Sequence, residues 1–442
     1  MIRNSIKRYG RQSHIVGGAA VLALTQFGAS LAGLFRDRIL AGTFPALHVV
    51  DVYIAAFRPS DLLFQIFIMA GFSTVLVPLL ARYKAHDNHK EIQSLIQSVI
   101  LMGSLLFGTL ALILALTLPH IAHHLTSFTG NTLELYISFT RIALVTNALF
   151  VFGNAFGQYL ITIQRYWIYG ITPIIYTCGT IFGTIFFTPL IGPFGPMYGT
   201  LLGAFIYVLL RFVAFAHTTK MCHPERCRRV TFLHPDLKKM GLLMLPRMAA
   251  LGALQFQLLF FDKLASGLPA GSVTINAYAR NFQAVVVGII GIAVAQSAYS
   301  ALSQKAVKNE WHAYTLFLLK GIFLVAILSM LGSIGLAFVT PLAAWLVNLS
   351  HVLPVFSGAL LLYVVSIPFE SVNHLLLRAY YALHRTGIPA LLTVLNGVIA
   401  IIISWYSLPT LGVFALPIGF TAGQIVQTVG LGLFLPRVLR KT

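Results

Sequence analysis

The sequence predicts an all-α polytopic membrane protein, with about twelve transmembrane helices in two six-helix lobes related by a pseudo-twofold around a central cavity. Three observations predict it. First, the 442 residues are 58% hydrophobic and 9% charged, against roughly 25% charged in an average soluble domain, and the mean hydropathy is +0.85. Second, apolar runs of the ~20 residues needed to cross a ~30 Å hydrocarbon core recur from end to end. Third, the chain repeats itself at about half its length.

The runs lie near 15–40, 48–81, 92–118, 133–162, 167–188, 195–217, 237–263, 273–303, 312–338, 355–380, 387–407 and 411–436. Near-continuous apolarity with little alternation indicates helices rather than barrel strands. The second run is long for one span and holds Pro59, Gly71 and Pro78, so it is expected to bend or break. The basic stretch Met1–His14 leads into a full-length apolar run with no small-residue exit, so no cleavable signal peptide is expected.

Charge orients the spans. A formal +19 in a soluble protein would suggest nucleic acid, but here the charge alternates by loop. The N-terminal tail, every second connection and the C-terminal tail together carry 21 Lys and Arg, six of them from Lys220 to Lys239. The intervening loops, near 41–48, 119–132, 189–194, 264–272, 339–354 and 408–410, carry none. Both termini are therefore expected in the cytoplasm, with no nucleic-acid partner.

Internal repetition supplies the domain plan. At an offset of 220, Arg165 matches Arg385, Pro189 matches Pro409, Gly192 matches Gly412, and Gly199 and Gly203 match Gly419 and Gly423. At an offset of 225, Phe35-Asp37-Arg38-Gly42 matches Phe260-Asp262-Lys263-Gly267, and Asp51 and Tyr53 match Asn276 and Tyr278. The expected domains are an N-terminal lobe over 1–217, a basic cytoplasmic linker over 218–236 and a C-terminal lobe over 237–442. Transporters duplicated in this way bind substrate between lobes near the midplane.

Nine cations fall outside the basic loops, and Asp37, Asp51, Asp61, Asp262 and Glu370 also lie in or near spans. An ionised group at the bilayer centre costs at least ~2.5–3.5 kcal/mol on insertion scales. Arg211, Lys263 and Lys320 are expected to reach an interface by snorkelling. Arg36, Arg58, Arg247 and Arg280 belong to the first two spans of each half, the elements expected to line the cavity. Arg58 and Asp61 lie three apart and share a helix face. Converging guanidinium forks suit diphosphate oxygens, so the expected substrate is a phosphate-bearing anion.

Phosphate loops, H-E-x-x-H, paired metal carboxylates and nucleophile triads are absent from the sequence, which points away from an enzyme and from any cofactor. Cys222 and Cys227 flank His223 at a spacing unlike a zinc knuckle, and Cys178 stands apart, so neither metal nor a disulfide framework is expected. His120, His123 and His124 read as interfacial residues.

The stretch from Gly33 to Tyr83 resembles the opening two spans of the MurJ/MviN-type lipid II flippases, members of the MOP exporter superfamily. LLRAYYALHRTGIP at 376–389 and QRYWIYGITP at 164–173 are similar to further segments of that family. The resemblance implies a bundle opening alternately inward and outward to move a polyprenyl-diphosphate-linked cell-wall precursor across the bacterial cell membrane. It places Arg36, Asp37, Asp51 and, within one position, Arg280 on functional family positions. Departures are Ser30 and Phe64 where arginines are usual, and Met69-Ala70-Gly71 in place of an acidic E-G-A. The two further C-terminal spans of the flippases are also not apparent. The full candidate substrate site is thus Arg36, Asp37, Asp51, Arg58, Asp61, Arg247 and Arg280. The alternatives are a flippase for another polyprenyl-diphosphate oligosaccharide, a drug antiporter, an integral enzyme on polyprenyl phosphates, or a non-transporting scaffold binding cell-wall synthesis proteins.

Overall fold

The computed structural model describes residues 2–70, 76–86, 89–219 and 236–439. Among these, helices occupy every one of the twelve expected runs and no strand occurs. The first half holds α1 (Ile2–Thr43), α2 (His48–Phe64), α3 (Val77–Ala85), α4 (His89–Leu125), α5 (Gly130–Thr162), α6 (Tyr166–Phe182), α7 (Thr188–Ile191) and α8 (Gly195–Thr219). The second holds α9 (Asp236–Ser266), α10 (Ser272–Val287), α11 (Ala293–Val307), α12 (Trp311–Phe338), α13 (Thr340–Leu346), α14 (Leu353–Val364), α15 (Ile367–Ala382), α16 (Gly387–Leu411) and α17 (Ala415–Leu439). Eight stretches of the described residues are long and apolar enough to cross a membrane, and the two longest, Tyr166–Thr218 and Gly387–Pro436, each cover two of the expected runs. Most of the expected linker, with Cys222, His223 and Cys227, lies outside the described residues.

The long second run passes through Pro59 without breaking and enters a π-helical turn at Gln65–Met69. Similar turns interrupt the helices at Gly183–Phe187 and Gly288–Ile292. Each takes up one extra residue and re-aims the side chains beyond it.

Both of these long stretches reverse at a glycine. Gly192 (φ 61°, ψ −137°) and Gly412 (φ 55°, ψ −134°) adopt nearly the same conformation, one that a Cβ makes costly. Beyond the first reversal, Gly199 lies against Gly183, and Gly203 against Gly179, so that α6 and α8 touch backbone to backbone. Small residues at such crossings let helices associate where lipid provides no hydrophobic drive. The left-handed residues support the duplication independently: Gln164 (φ 61°) precedes Arg165 as His384 (φ 55°) precedes Arg385.

The chain packs as two compact units. Unit 1 takes Met1–Thr43, Pro59–Ile121 and Glu134–Met248; unit 2 takes Phe44–Arg58, Ala122–Leu133 and Ala249–Thr442. Unit 1 has an apolar core that includes Phe64, Phe107, Leu144 and Val151. It also buries Arg211 to 1% exposure, so the snorkelling expected of that residue does not occur. Its guanidinium donates to Thr172 Oγ1 (2.8 Å) and to the carbonyls of Gly153 and Tyr169 (both 3.1 Å). It also lies over the rings of Tyr207 (4.0 Å) and Tyr169 (4.7 Å). This side chain ties α5, α6 and α8 by turning its donors to protein groups rather than by reaching water.

Unit 2 joins the corresponding helices with neutral groups. Asn373 donates to Gln424 Oε1 (2.9 Å), Asn396 to Gln427 Oε1 (2.6 Å), and the Tyr380 hydroxyl to the carbonyl of Leu431 (2.7 Å). Leu431 stands 220 residues after Arg211, the repeat offset.

Gly192→Ala and Gly412→Ala should each destabilise the protein by about 1–3 kcal/mol, the cost of a non-glycine residue in a sparsely populated backbone region. Gly335→Ala, in a helix with open space around the new methyl, should not. Thermal unfolding in detergent measures the difference.

Candidate functional site

Seven candidate residues were expected to meet at one cavity. The structure describes the side chains of six of them, in four arrangements.

In unit 1, Arg36 and Asp37 pair with each other along α1. The guanidinium donates through Nε (2.9 Å) and Nη2 (2.6 Å) to Asp37 Oδ1, while Asp37 itself is buried and Arg36 about a quarter exposed. Asp61, also in unit 1, accepts from Asn147 Nδ2 (2.8 Å), which donates as well to the buried hydroxyl of Ser60 (2.8 Å). Arg247 lies in α9, but its side chain is outside the described residues.

Asp51 belongs to unit 2 and caps a helix 220 residues away in sequence. Its Oδ2 accepts from the backbone N–H of Gly271 (2.6 Å); its Oδ1 accepts from the N–H of Thr274 (2.7 Å) and the Thr274 hydroxyl (2.5 Å). These groups open α10, whose N-cap Gly271 has no side chain of its own to offer. A helix start exposes unpaired N–H groups and a partial positive charge, so a carboxylate suits it. In this conformation Asp51 is buried with both oxygens engaged.

Nearby ties follow the same seam. Ser266 Oγ accepts from Thr126 Oγ1 (3.0 Å) and from the N–H of Ser127 (2.8 Å), and Ser127 Oγ donates to the carbonyl of Lys263 (3.2 Å). Leu47 packs directly on Gly271. All of these lie at helix ends bordering the loops that lack Lys and Arg.

Deeper along the seam, Arg58 donates through Nε to Asp262 Oδ2 at 2.6 Å. Asp262 is nearly sealed, with a side chain 4% exposed against 21% for Arg58. Arg280 lies within coulombic reach of the same carboxylate. Its guanidinium rests over the Phe420 ring (4.9 Å), which packs edge-on against Tyr363 (5.5 Å). The Tyr363 hydroxyl donates to Asn276 Oδ1 (2.7 Å). One turn beyond Arg280, Gln283 donates to Glu370 Oε2 (2.6 Å) and to Ser366 Oγ (3.2 Å). Arg58 is ten residues into α2 and Arg280 eight into α10, depths of about 15 and 12 Å at 1.5 Å per residue.

Of the four arginines expected at the cavity, unit 2 thus brings Arg58 and Arg280 to one carboxylate, and Asp262 is the residue sequence reasoning left out of the site. Its signal was present in the register with Asp37, an in-span carboxylate in each half. Arg58 and Asp61, which share a helix face, turn to different partners at Asp262 and Asn147.

A family profile described as "Lipid II flippase MurJ" matches residues 40–442. The chain belongs to the lipid II flippase family. A Burkholderia cenocepacia relative named lipid II flippase MurJ is 22% identical over 419 residues, covering 90% of this chain and 79% of that protein. A Thermotoga maritima relative, a probable lipid II flippase MurJ, is 24% identical over 425 residues, covering 92% and 83%. A probable flippase from Buchnera aphidicola is 24% identical over 320 residues, 70% of this chain and 60% of its own length. Among solved structures, a lipid II flippase MurJ in an inward closed conformation superposes with a TM-score of 0.78 at 19% identity, covering 96% of this chain and 89% of that one. An inward-facing multidrug MATE transporter of the MOP superfamily gives 0.76 at 17% identity, covering 94% and 96%. The fold is that of the MOP transporters, and the flippase family is one of transporters, not enzymes.

Within the flippase family, the departure at Phe64 has a packing reason. The ring is 5% exposed in the unit 1 core and meets Phe107 (6.0 Å) and Phe150 (6.3 Å). An arginine there would be an unpaired charge among aromatic rings, so the cation that the family resemblance led one to expect is absent from this position.

Asp51→Asn should lower stability by about 1–3 kcal/mol, because one carboxamide face presents N–H groups to the N–H donors of α10 and orphans them. Thr274→Val, which removes one donor and leaves both backbone bonds, should cost less. The order of the two unfolding midpoints checks this assignment.

Proposed function

We propose that this flippase-family protein moves lipid II, the polyprenyl-diphosphate-linked peptidoglycan precursor, from the inner to the outer leaflet of the bacterial cell membrane by alternating access. The observation that carries this reading is the placement of Arg58 and Arg280 around one buried carboxylate at mid-depth. Two guanidinium forks can each offer a diphosphate parallel, charge-assisted bonds, and a low-dielectric setting strengthens them. The diphosphate is common to polyprenyl-linked oligosaccharides, and the arginine pair does not read the sugar or peptide. Phe64 in place of an arginine therefore supports a second reading, a different glycan on the same lipid carrier.

In the proposed cycle the lobes are residues 1–217 and 237–442, joined by the basic linker 218–236 on the cytoplasmic face. Arg36, Asp37 and Arg247 enter this reading from the sequence alone, as further candidate contacts to the anionic head. Asp51 acts as a gate residue: its bonds to α10 fasten first-half residues to second-half residues on the side of the uncharged loops, and must part for release outside. Cell-wall synthesis enzymes that consume the product are the expected protein partners. Both termini lie in the cytoplasm, as the positive-inside asymmetry requires.

Expression in cells depleted of their own lipid II flippase should restore growth and outer-leaflet lipid II. Arg280→Ala and Arg58→Ala should abolish rescue at unchanged membrane abundance, and Arg280→Lys should restore it only in part, because an ammonium lacks the planar fork. Failure of the unaltered protein, together with rescue of a mutant lacking a different polyprenyl-diphosphate flippase, would move the second reading ahead. A reporter fused after Thr442 should read cytoplasmic.

A further inference from the structure

The charges grouped around Tyr363 already balance. Arg58 and Arg280 bring two positive charges, and Asp262 and Glu370 bring two negative ones, with Asp262 bonded to Arg58 at 2.6 Å and Glu370 held by Gln283 at 2.6 Å. An incoming diphosphate finds no net positive charge here unless a carboxylate lets go. Of the two, Asp262 is the one on a guanidinium. It is also the one that joins the second half to the first, since Arg58 belongs to α2 and Asp262 to α9. The Arg58–Asp262 bond is therefore both an occupied anion position and a fastening of the seam, lying deeper than the Asp51 cap. Arg58, at 21% exposure, is the accessible partner, while Asp262 is sealed behind it.

We propose that Asp262 is a resident counter-anion whose place on Arg58 is taken by the substrate's diphosphate, and that this exchange unlocks the seam toward the outside. The inference rests on the reading of the substrate as a diphosphate-linked lipid. When the cavity is empty, Asp262 holds Arg58 and the seam stays shut. A diphosphate carries more charge and two fork-shaped faces, so it outcompetes one carboxylate for Arg58 and binds Arg280 as well. With Arg58 freed of Asp262, α2 loses its deep fastening to the second half and keeps the ties nearer the surface. On release outside, Asp262 takes Arg58 back, which expels the anion and closes the seam. Asp262 is thus a positioning residue acting through Arg58, not a substrate ligand.

Opposite mutational signs test this. Cys178, Cys222 and Cys227 are replaced by Ser, and Leu47→Cys, 2% exposed against Gly271, reports seam opening to a membrane-impermeant maleimide in nanodiscs. Farnesyl diphosphate is the binding probe, with farnesol as its uncharged control. In the otherwise unaltered protein, labelling should be slow and accelerated by farnesyl diphosphate but not by farnesol. Asp262→Asn should label rapidly without probe and bind farnesyl diphosphate roughly tenfold tighter, the scale of one close charge contact. Arg58→Gln should also label rapidly but bind more weakly. Asp262→Glu, which keeps the charge, should restore slow, probe-dependent labelling, and remains decisive if the Asn variant does not fold. A merely structural bond would weaken binding in Asp262→Asn and Arg58→Gln alike. Equal labelling and affinity in Asp262→Asn and its parent, or fast labelling in Asp262→Glu, overturns the exchange while leaving the diphosphate reading intact. Absence of farnesyl diphosphate binding to the parent overturns both.

Discussion

Hydrocarbon supplies no water to an unpaired polar group, and this constraint sets where almost every described in-span charge can sit. Arg36 lies on Asp37, Arg58 on Asp262, and Asp51 on the open end of α10. Arg211 has no carboxylate among its described contacts and instead uses two carbonyls, a hydroxyl and two aromatic faces. Each solution fixes a helix to its neighbour, so satisfying the charge and building the bundle are one event. Structure and mechanism then share the same bonds, because what fastens a helix is also what must be released for it to move.

The duplicated halves show two answers to this constraint. The glycine reversals, the left-handed residues before Arg165 and Arg385, and the paired carboxylates Asp37 and Asp262 persist in both halves. The ties around spans four to six and ten to twelve have diverged, from a guanidinium at Arg211 to amides at Asn373, Asn396, Gln424 and Gln427. An amide offers donors and acceptors without the desolvation cost of an ion, whereas an arginine spans three helices at once. Asp37 and Asp262 differ as well, since the former bonds its sequence neighbour and the latter a residue 204 positions away. Only the second kind of bond can report whether distant segments are together.

Helix positions were legible because apolar run length is a one-dimensional property, and the glycine reversals because a repeat offset exposes them. The conserved register also singled out Asp262 as an in-span carboxylate. What the linear pattern did not carry was the identity of partners. Nothing near Arg58 in sequence announces Asp262, and the three-residue spacing to Asp61 suggested a different neighbour. Asp51 entered the candidate site through the family resemblance, and its bonds to a helix start 220 residues on, whose glycine N-cap cannot cap itself, had no local signal. Arg211 read as a snorkelling anchor because its position near a span end is visible and the carbonyls that receive it are not. Phe64 shows the converse. Its departure from the flippase pattern was visible at once, but only the aromatic packing around it explains why no cation could be accommodated there.

A charge-balanced site also resolves a conflict that a purely cationic one would face. A carrier must take up its anion on one side and give it up on the other, and four uncompensated guanidinium groups closing on a diphosphate would hold it through the whole cycle. An internal carboxylate changes that, because every step of release is met by re-formation of an existing ion pair. Bound and empty states then differ by an exchange of anions on the same arginine rather than by creation and loss of a bare charge. Since a ligand can shift a conformational equilibrium only by its differential affinity for the two states, the counter-anion must sit where it also fastens the moving elements. Arg58 in α2 and Asp262 in α9 meet that requirement, and an acid placed beside Arg58 on its own helix would not.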